Sequence, residues 1–157
     1  MDSNAGGTND NFVREICGIL QNRKCIILVF GNKQFQERLK YEFNIEGMFG
    51  ISDKSLAKIY SRSKLTICPQ KWETFGYVLA ESISCGTPVL AFNVMGSAEI
   101  VRDTQMGILA NNEKEFLRKI EDFNFEKRKE DDEKKSYPWD LDYSTKKLND
   151  AISDSQR

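Results

Sequence analysis

Two glutamates are the residues in this sequence whose type and spacing most clearly suggest chemistry. Glu73 and Glu81 lie within KWETFGYVLAESISCGTPVLAF (residues 71–92), with seven residues between them. The first glutamate precedes a helix-like segment, and the second falls two turns inside it. Because carboxylates accept hydrogen bonds from paired hydroxyls, a ligand with hydroxyl groups at both ends would suit this pair.

The segment between the carboxylates is predicted to be a helix from about Phe75 to Cys85, preceded by a strand at Lys64–Cys68. The N-terminus of a helix has unsatisfied N–H groups and a partial positive charge, which together attract anions. Gly76 would let a ligand approach the backbone closely. A phosphate or diphosphate is therefore expected against the amides of Phe75, Gly76 and Tyr77.

A purely structural role would explain the same two residues. Glu73 would then be a charge partner of the helix dipole, and Glu81 would be an exposed helix residue. On spacing alone, this structural interpretation is the favoured one.

Composition limits the remaining possibilities. The chain has 157 residues, of which 39% are hydrophobic and 30% are charged, with a net charge of −1. These values are typical of one ordinary globular domain and give no indication of a nucleic-acid partner. No apolar run approaches the ~20 residues that span a bilayer, and no N-terminal signal pattern is visible. A cytoplasmic location without a transmembrane segment is expected.

The titratable residues exclude several kinds of chemistry. The chain has no histidine, which removes histidine-based acid–base catalysis, Ser-His-Asp triads and most zinc sites. The four cysteines form no CxxC pair, and each lies in or beside an apolar segment, so free thiols are predicted. No metal site is expected.

The order of apolar segments predicts an α/β domain. Residues 1–10 are interpreted as a flexible lead, and residues 11–157 as one domain. Runs such as KCIILVF and PVLAF are typical of strands buried on both faces, and amphipathic helical segments alternate with them. This alternation predicts a Rossmann-like, mainly parallel sheet with helices on both faces. The charged stretch 124–136 is interpreted as a solvated helix face, and 137–152 as a closing helix.

The stretch YSRSKLTICPQKWETFGYVLAESISCGTPVLAFNVMGSAEIV resembles the C-terminal, donor-binding half of retaining glycosyltransferases of the GT-B fold (group 1, family 4 type). The shared features are the Glu, seven residues, Glu pattern with Phe75-Gly76 inside it, then CGTPV, Gly96 and AEIV. Several blocks occur in order at matching separations. The resemblance covers roughly residues 11–150.

The resemblance implies a specific use of the site residues. Glu73 would be catalytic, binding donor-sugar hydroxyls next to the reacting carbon, and Glu81 would bind the ribose hydroxyls. Phe49 and Gly50 belong to a loop that would lie against the base. The diphosphate would be held by the backbone of Thr74, Phe75, Gly76 and Tyr77.

The reaction implied is sugar transfer from a nucleoside diphosphate sugar to a glycan or lipid-linked acceptor, in polysaccharide or glycoconjugate synthesis. The family implies no metal or other cofactor. Its complete members carry a further acceptor-binding domain, which would have to come from a separate domain or chain. Any peripheral association with a membrane is expected to occur through this acceptor-binding half. Alone, the 157 residues are expected to bind the nucleotide without transferring the sugar.

The chain departs from this family at its N-terminal end. The family's domain begins with a central strand and a basic glycine-rich loop, and Asn9 and Asp10 stand where the basic residues are expected. Either the neighbouring strands close up, or another segment or chain fills the gap. Three cations, Arg14, Lys33 and Lys71, are candidates to compensate for the missing charge.

Two other functions remain open. The first is a degenerate, non-catalytic domain of the same fold that acts as an interaction or regulatory module. The second is an unrelated α/β nucleotide binder of the response-regulator kind, against which the lack of an acidic cluster at the early strand ends counts.

Overall fold

The computed structural model describes residues 9–126, which form six helices and five strands in alternation. The helices are α1 (Asp10–Asn22), α2 (Lys33–Glu42), α3 (Asp53–Arg62), α4 (Tyr77–Ser84), α5 (Met95–Thr104) and α6 (Glu113–Asp122). The strands are β1 (Ile27–Phe30), β2 (Ile45–Met48), β3 (Thr66–Cys68), β4 (Val89–Phe92) and β5 (Gly107–Ala110). The closing helix expected at 137–152, and most of the charged stretch, lie outside the described residues.

Short polar side chains determine where four of the helices begin. Each N-cap side chain accepts a hydrogen bond from a backbone N–H in the first turn, which satisfies one of the donors that a helix start leaves unpaired. These N-caps are Asn9, Asn32, Ser52 and Asn112. Because Asn9 caps α1, the helix already starts at Asp10, inside the predicted flexible lead.

All strand pairs are parallel, which confirms the predicted type of fold. The strands form two hydrogen-bonded groups, β1–β2 and β3–β4–β5. Within residues 9–126, no ladder connects β1 to β3. The strands on either side of the missing one have therefore not closed up, so the first of the two expected outcomes is not observed.

Strand β4 shows how helices cover both faces of the layer. All four of its residues are buried, and they alternate between two hydrophobic clusters. Leu90 and Phe92 pack with residues of α1 and α6, whereas Val89 and Ala91 pack with residues of α4 and α5. The first cluster also contains Ile27 of β1, so the two sheets share one core on that face.

The cysteines are free thiols, as predicted. Cys17 and Cys68 are buried, whereas Cys25 and Cys85 are partly buried. Burial raises the pKa of the Cys17 thiol to about 11 and that of Cys68 to about 12, with the carboxylate of Glu73 contributing to the second shift. Since the thiolate is the nucleophilic form, neither buried thiol is a nucleophile at neutral pH.

These buried thiols predict a loss of stability in alkaline solution. The pKa of Cys68 is raised in the folded protein, so above pH 9, the ordinary value, the unfolded chain releases this proton first. The free energy of unfolding should therefore fall as the pH rises from about 9 to about 12, by roughly 3–4 kcal/mol for this thiol as an upper limit. Urea denaturation over this pH range measures the slope.

The variant Cys68→Ala is the matched control for the alkaline prediction. It removes one titrating thiol and leaves the lysines and Cys17 in place, so its stability should fall less steeply with pH. Equal slopes for the two proteins above pH 9 would contradict the assignment to Cys68.

Candidate functional site

The candidate residues lie at the edge where the parallel strands end. After β3 the chain runs through residues 69–76 before α4 begins, and after β4 it turns directly into α5. Neighbouring parallel strands place their carboxyl ends at the same edge, where α/β proteins bind ligands. The two connections are in direct contact, because the Gly96 N–H of α5 donates a hydrogen bond to the Glu73 carbonyl at 3.2 Å.

The Glu73 side chain shapes the start of α4. Its Oε1 accepts a hydrogen bond from the Gly76 N–H at 2.9 Å, and the side chain is partly buried. Gly76 is the N-cap of α4 and has φ +88°, a left-handed conformation that glycine adopts without steric cost. Helix α4 therefore begins at Tyr77, two residues later than predicted, because Phe75 and Gly76 form the turn that Glu73 closes.

Gly96 allows α5 to lie directly against this turn. A Cβ at position 96 would fall 2.4 Å from the Thr74 carbonyl oxygen and 2.7 Å from that of Phe75. Real side chains do not approach backbone oxygens this closely, so only glycine fits. The preceding residue, Met95, has φ +33°, which is an uncommon conformation for a residue with a side chain. In the sequence, Gly96 was only one residue of the motif that resembles the glycosyltransferases. The structure shows why this position requires glycine.

The aromatic residues beside Glu73 face solvent. Trp72 is 72% exposed, Phe75 46% and Tyr77 70%. The rings of Phe75 and Tyr77 pack together with centroids 4.5 Å apart. Leu79, expected in the core, is buried. The exposed rings thus form an apolar surface next to the start of α4, and Thr74 is exposed beside them.

Glu81 lies on the exposed side of α4 and has a partner that the sequence did not reveal. The Tyr60 hydroxyl of α3 donates a hydrogen bond to Glu81 Oε2 at 3.3 Å. Burial of Tyr60, together with the nearby Glu81 carboxylate, raises the pKa of the phenol well above its ordinary value. Tyr60 is therefore a stable hydrogen-bond donor that orients Glu81. Sequence reasoning did not identify Tyr60 as a site residue.

Phe49 and Gly50 follow the carboxyl end of β2, which belongs to the other sheet. Phe49 is 45% exposed, and Gly50 has φ +55°. The Lys33 ammonium lies 5.9 Å from the centroid of the Phe49 ring. Their relation to the two glutamates rests on the resemblance.

Asp10 and Arg14, on α1, both have ion-pair partners. Asp10, whose negative charge was expected to disfavour a diphosphate, accepts a hydrogen bond from Arg38 at 3.1 Å. Arg14, one of the three candidate compensating cations, is paired with Glu42 at 2.9 Å. Arg38 therefore offsets the negative charge of Asp10. The positive charge of Arg14 is already paired with Glu42.

The two lysines among the candidate cations differ in how strongly they are paired. Lys71 lies 2.7 Å from Glu113, a close ion pair. Lys33 is 4.0 Å from Glu37 and remains largely exposed. Lys33 is thus the more available of the two.

Residues 9–126 contain neither a cluster of metal ligands nor a helix that could span a membrane. Among residues 9–126, no group of three or more His, Cys, Asp or Glu side chains is arranged to hold a metal ion. No helix in that part of the chain combines the length and apolar character needed to cross a membrane. Independence from metal remains a prediction.

Comparison with protein families gives a match over most of the sequence. Residues 10–136 match the family described as glycosyl transferases group 1. The chain belongs to this family. The group 1 glycosyltransferase assignment covers every described helix and strand, and it agrees with the parallel α/β architecture.

Individual proteins match shorter segments. A D-inositol 3-phosphate glycosyltransferase of Thermomonospora curvata is 46% identical over 54 residues, which are 34% of this chain and 12% of the relative. One of the same name from Segniliparus rotundus is 36% identical over 76 residues, or 48% and 17% of the two chains. An uncharacterized 41.2 kDa protein in the cps region of Klebsiella pneumoniae is 33% identical over 63 residues, or 40% and 18%. The matched segment spans less than a fifth of each of these relatives.

Proposed function

We propose that this chain is the donor-binding half of a retaining glycosyltransferase that uses a nucleoside diphosphate sugar. One arrangement carries the proposal: two glutamates flank a glycine-capped helix start at the carboxyl edge of a parallel sheet. Glu73 closes the turn before α4, and Glu81 lies further along the same helix. Both carboxylates are accessible, because Glu81 is exposed and Glu73 is only partly buried.

The start of α4 supports a diphosphate position. The first backbone hydrogen bond into this helix runs from Ala80 N to Gly76 O at 3.0 Å, so the N–H groups of Tyr77 and Val78 precede the hydrogen-bonded turns. These N–H groups and the helix dipole would stabilise the negative charge that develops on the leaving nucleoside diphosphate. The Gly76 N–H already donates to Glu73, so the proposed donors begin at Tyr77, two residues after the Phe75 that the sequence suggested.

The glutamates would bind the two ends of the donor. Glu73 uses Oε1 for Gly76, and Oε2 could accept a hydroxyl of the donor sugar. Glu81, oriented by Tyr60, would accept the ribose hydroxyls. The exposed Phe49 and the adjacent Gly50 would contact the base, with Lys33 nearby as a cation for the phosphates.

The complete reaction would require a second, acceptor-binding domain or chain. The proposed acceptor is a glycan or lipid-linked molecule, in cytoplasmic polysaccharide or glycoconjugate synthesis. Relatives named as D-inositol 3-phosphate glycosyltransferases support sugar transfer as the general chemistry. The proposal includes no metal or other cofactor. The 157 residues alone are expected to bind the donor nucleotide and not to transfer the sugar.

Calorimetric titration of the chain with UDP, GDP and ADP tests the donor site. Saturable binding of one nucleotide is expected. Glu81→Ala should weaken it by roughly 10- to 100-fold, since a hydrogen bond to a charged group is worth about 1.5–3 kcal/mol. Glu121→Ala, which removes an exposed carboxylate in the last turn of α6, is the matched control and should leave the affinity unchanged. An unchanged affinity in Glu81→Ala would remove Glu81 from the site.

A non-catalytic domain of the same fold is the second candidate, and the ion pairs at the site favour it. Arg14 and Lys71 each have a close carboxylate partner, and Asp10 stands where the resemblance implies a cation. A site short of available positive charge would hold a diphosphate weakly. If none of the three nucleotides binds, this second candidate replaces the first.

A further inference from the structure

The exposed apolar side chains of the domain are concentrated at one corner. Nine large hydrophobic side chains are exposed among residues 9–126, and five of them lie within residues 72–78 or at position 95. Large exposed apolar patches are uncommon on folded domains and often mark binding sites. Three of the five side chains are aromatic, and we call them the aromatic platform: Trp72, Phe75 and Tyr77.

The backbone that carries the platform is held in a fixed shape. The Gly76 N–H, between Phe75 and Tyr77, donates to Glu73 Oε1 at 2.9 Å, and the Glu73 carbonyl accepts from the Gly96 N–H at 3.2 Å. The rings of Phe75 and Tyr77 contact each other, with their planes inclined by 38°. Because a preorganised surface loses little conformational freedom on binding, such a surface favours a ligand even when the contact is small.

Aromatic rings beside hydroxyl and carboxylate groups match the surface of a pyranose sugar. The face of an aromatic ring carries partial negative charge, so it attracts the C–H groups on one face of a pyranose. The sugar hydroxyls around the rim need hydrogen-bond donors and acceptors. Thr74, which precedes Phe75, is exposed, and the Glu73 carboxylate is partly exposed. The platform therefore combines both kinds of contact that a sugar ring requires.

The size of the platform fits a sugar better than a protein partner. A Trp, Phe or Tyr side chain has about 150–250 Å² of surface to bury. Since the three platform residues are 72%, 46% and 70% exposed, they offer on the order of 400 Å² together. One side of a stable protein–protein interface buries about 800 Å². The platform supplies only part of that area, which is enough for one or two sugar rings.

The charge at the platform disfavours a membrane or a nucleic acid as its ligand. Within residues 72–78 the only charged residue is Glu73. Lys71, which precedes this stretch, is paired with Glu113 at 2.7 Å. Because membrane surfaces and nucleic acids carry negative charge, proteins bind them with clusters of Lys and Arg. A neutral, hydroxyl-rich ligand is therefore favoured over either of them.

We propose that Trp72, Phe75 and Tyr77 stack against a sugar ring of the acceptor glycan. The assignment to the acceptor rests on the proposed function, in which Glu73 binds the donor sugar. Sugar transfer joins an acceptor hydroxyl to the anomeric carbon of that donor sugar, so the acceptor ring must lie next to it. The platform residues adjoin Glu73 in the chain. This half of the enzyme would thus contact the acceptor as well as the donor.

Saturation-transfer NMR on the whole chain, without nucleotide, tests the platform. The probe is cellobiose, a disaccharide whose glucose rings carry axial C–H groups on both faces. Saturation of the protein should pass chiefly to these axial protons, because they would lie against the aromatic rings. Sorbitol has similar hydroxyls but no ring, so it is the matched control ligand and should receive roughly tenfold less saturation.

Three alanine variants locate the binding surface. Trp72→Ala and Tyr77→Ala should each weaken cellobiose binding roughly tenfold, since each removes one apolar ring from the contact. Tyr41 in α2 is 92% exposed and lies outside the platform, so Tyr41→Ala is the matched control and should leave the binding unchanged. All three side chains are largely exposed. The variants should therefore retain the fold, which urea denaturation checks.

Three results would overturn the proposal. The first is no saturation of cellobiose at millimolar concentrations. The second is an equal loss of binding in Tyr41→Ala, which would mean adhesion to exposed rings in general. The third is an equal signal from sorbitol or from uridine, which would make the platform a non-specific surface or a contact for the nucleotide base.

The platform and the donor site can fail separately. A chain that binds UDP, GDP or ADP but not cellobiose would lose the platform and keep the donor site. A chain that binds cellobiose through Trp72 and Tyr77 but binds no nucleotide would keep a sugar-binding platform and lose the proposed transferase function, and with it the assignment of the sugar to an acceptor.

Discussion

Replacing Glu73 with glutamine is expected to lower sugar transfer by the complete transferase at least ~100-fold, the order of loss seen when one stabilising group of a reaction centre is removed. The amide keeps an oxygen that can accept the Gly76 N–H, so the turn before α4 should persist. What changes is the negative charge that we propose to lie next to the donor sugar. Nucleotide affinity should therefore change little, and steady-state kinetics with calorimetric titration measures both quantities.

The alanine variant separates the structural role of Glu73 from its chemical role. Glu73→Ala removes the acceptor of the Gly76 N–H, which should cost about 0.5–2 kcal/mol of unfolding free energy, as loss of a cap does. Glu73→Gln should remain close to the parent in stability. Transfer that survives in the glutamine variant would make the carboxylate a helix cap only, which is the structural role that its spacing alone favoured.

Gly96→Ala is expected to damage both stability and nucleotide binding. The added methyl would lie 2.4 Å from the Thr74 oxygen, and backbone atoms cannot rotate away as a flexible side chain can. Overpacking of this kind costs roughly 1–3 kcal/mol. Relief requires α5 and the Glu73 turn to separate, which would also break the hydrogen bond from Gly96 N–H to the Glu73 carbonyl. Nucleotide affinity should fall at least tenfold, measured by titration alongside urea denaturation.

Gly18→Ala is the matched control for this substitution. Gly18 is also helical, but a Cβ there would meet only the Phe43 ring edge at 3.9 Å, an ordinary contact. Alanine should therefore stabilise α1 by about 0.5–1 kcal/mol, the usual difference from glycine inside a helix. A Gly96→Ala protein with unchanged stability and affinity would show that α5 does not hold the Glu73 turn in place.

Local patterns in the sequence were sufficient to place the elements. The runs KCIILVF and PVLAF contain β1 and β4, because strands buried on both faces are continuously apolar. Ser52 caps α3, and serine is one of the residue types that most often cap helices. The state of the gap between β1 and β3 was not predictable in this way. It depends on packing such as that of α1, which contacts β1 and, through Phe12, Phe92 of β4, and such packing joins residues far apart in the chain.

The sequence predicted which residues belong to the candidate site better than it predicted the contacts between them. Spacing and resemblance singled out Glu73 and Glu81, whose roles remain proposals. The hydrogen bond from Tyr60 to Glu81 depends on how α3 packs on α4, which no local pattern encodes. The left-handed conformation of Gly76 could not be predicted from the sequence either, since glycine permits that conformation without requiring it. The helix boundary was therefore placed two residues too early.

The exposed ring of Trp72 gives this domain an optical reporter. Indole fluorescence lies at longer wavelength in water than in apolar surroundings, and Trp72 is largely in water one residue before Glu73. A ligand that covers the turn would remove water from this ring and shift its emission, with no label attached. In Trp72→Phe that shift would be lost, and the emission of Trp139, the other tryptophan of the chain, would remain as background.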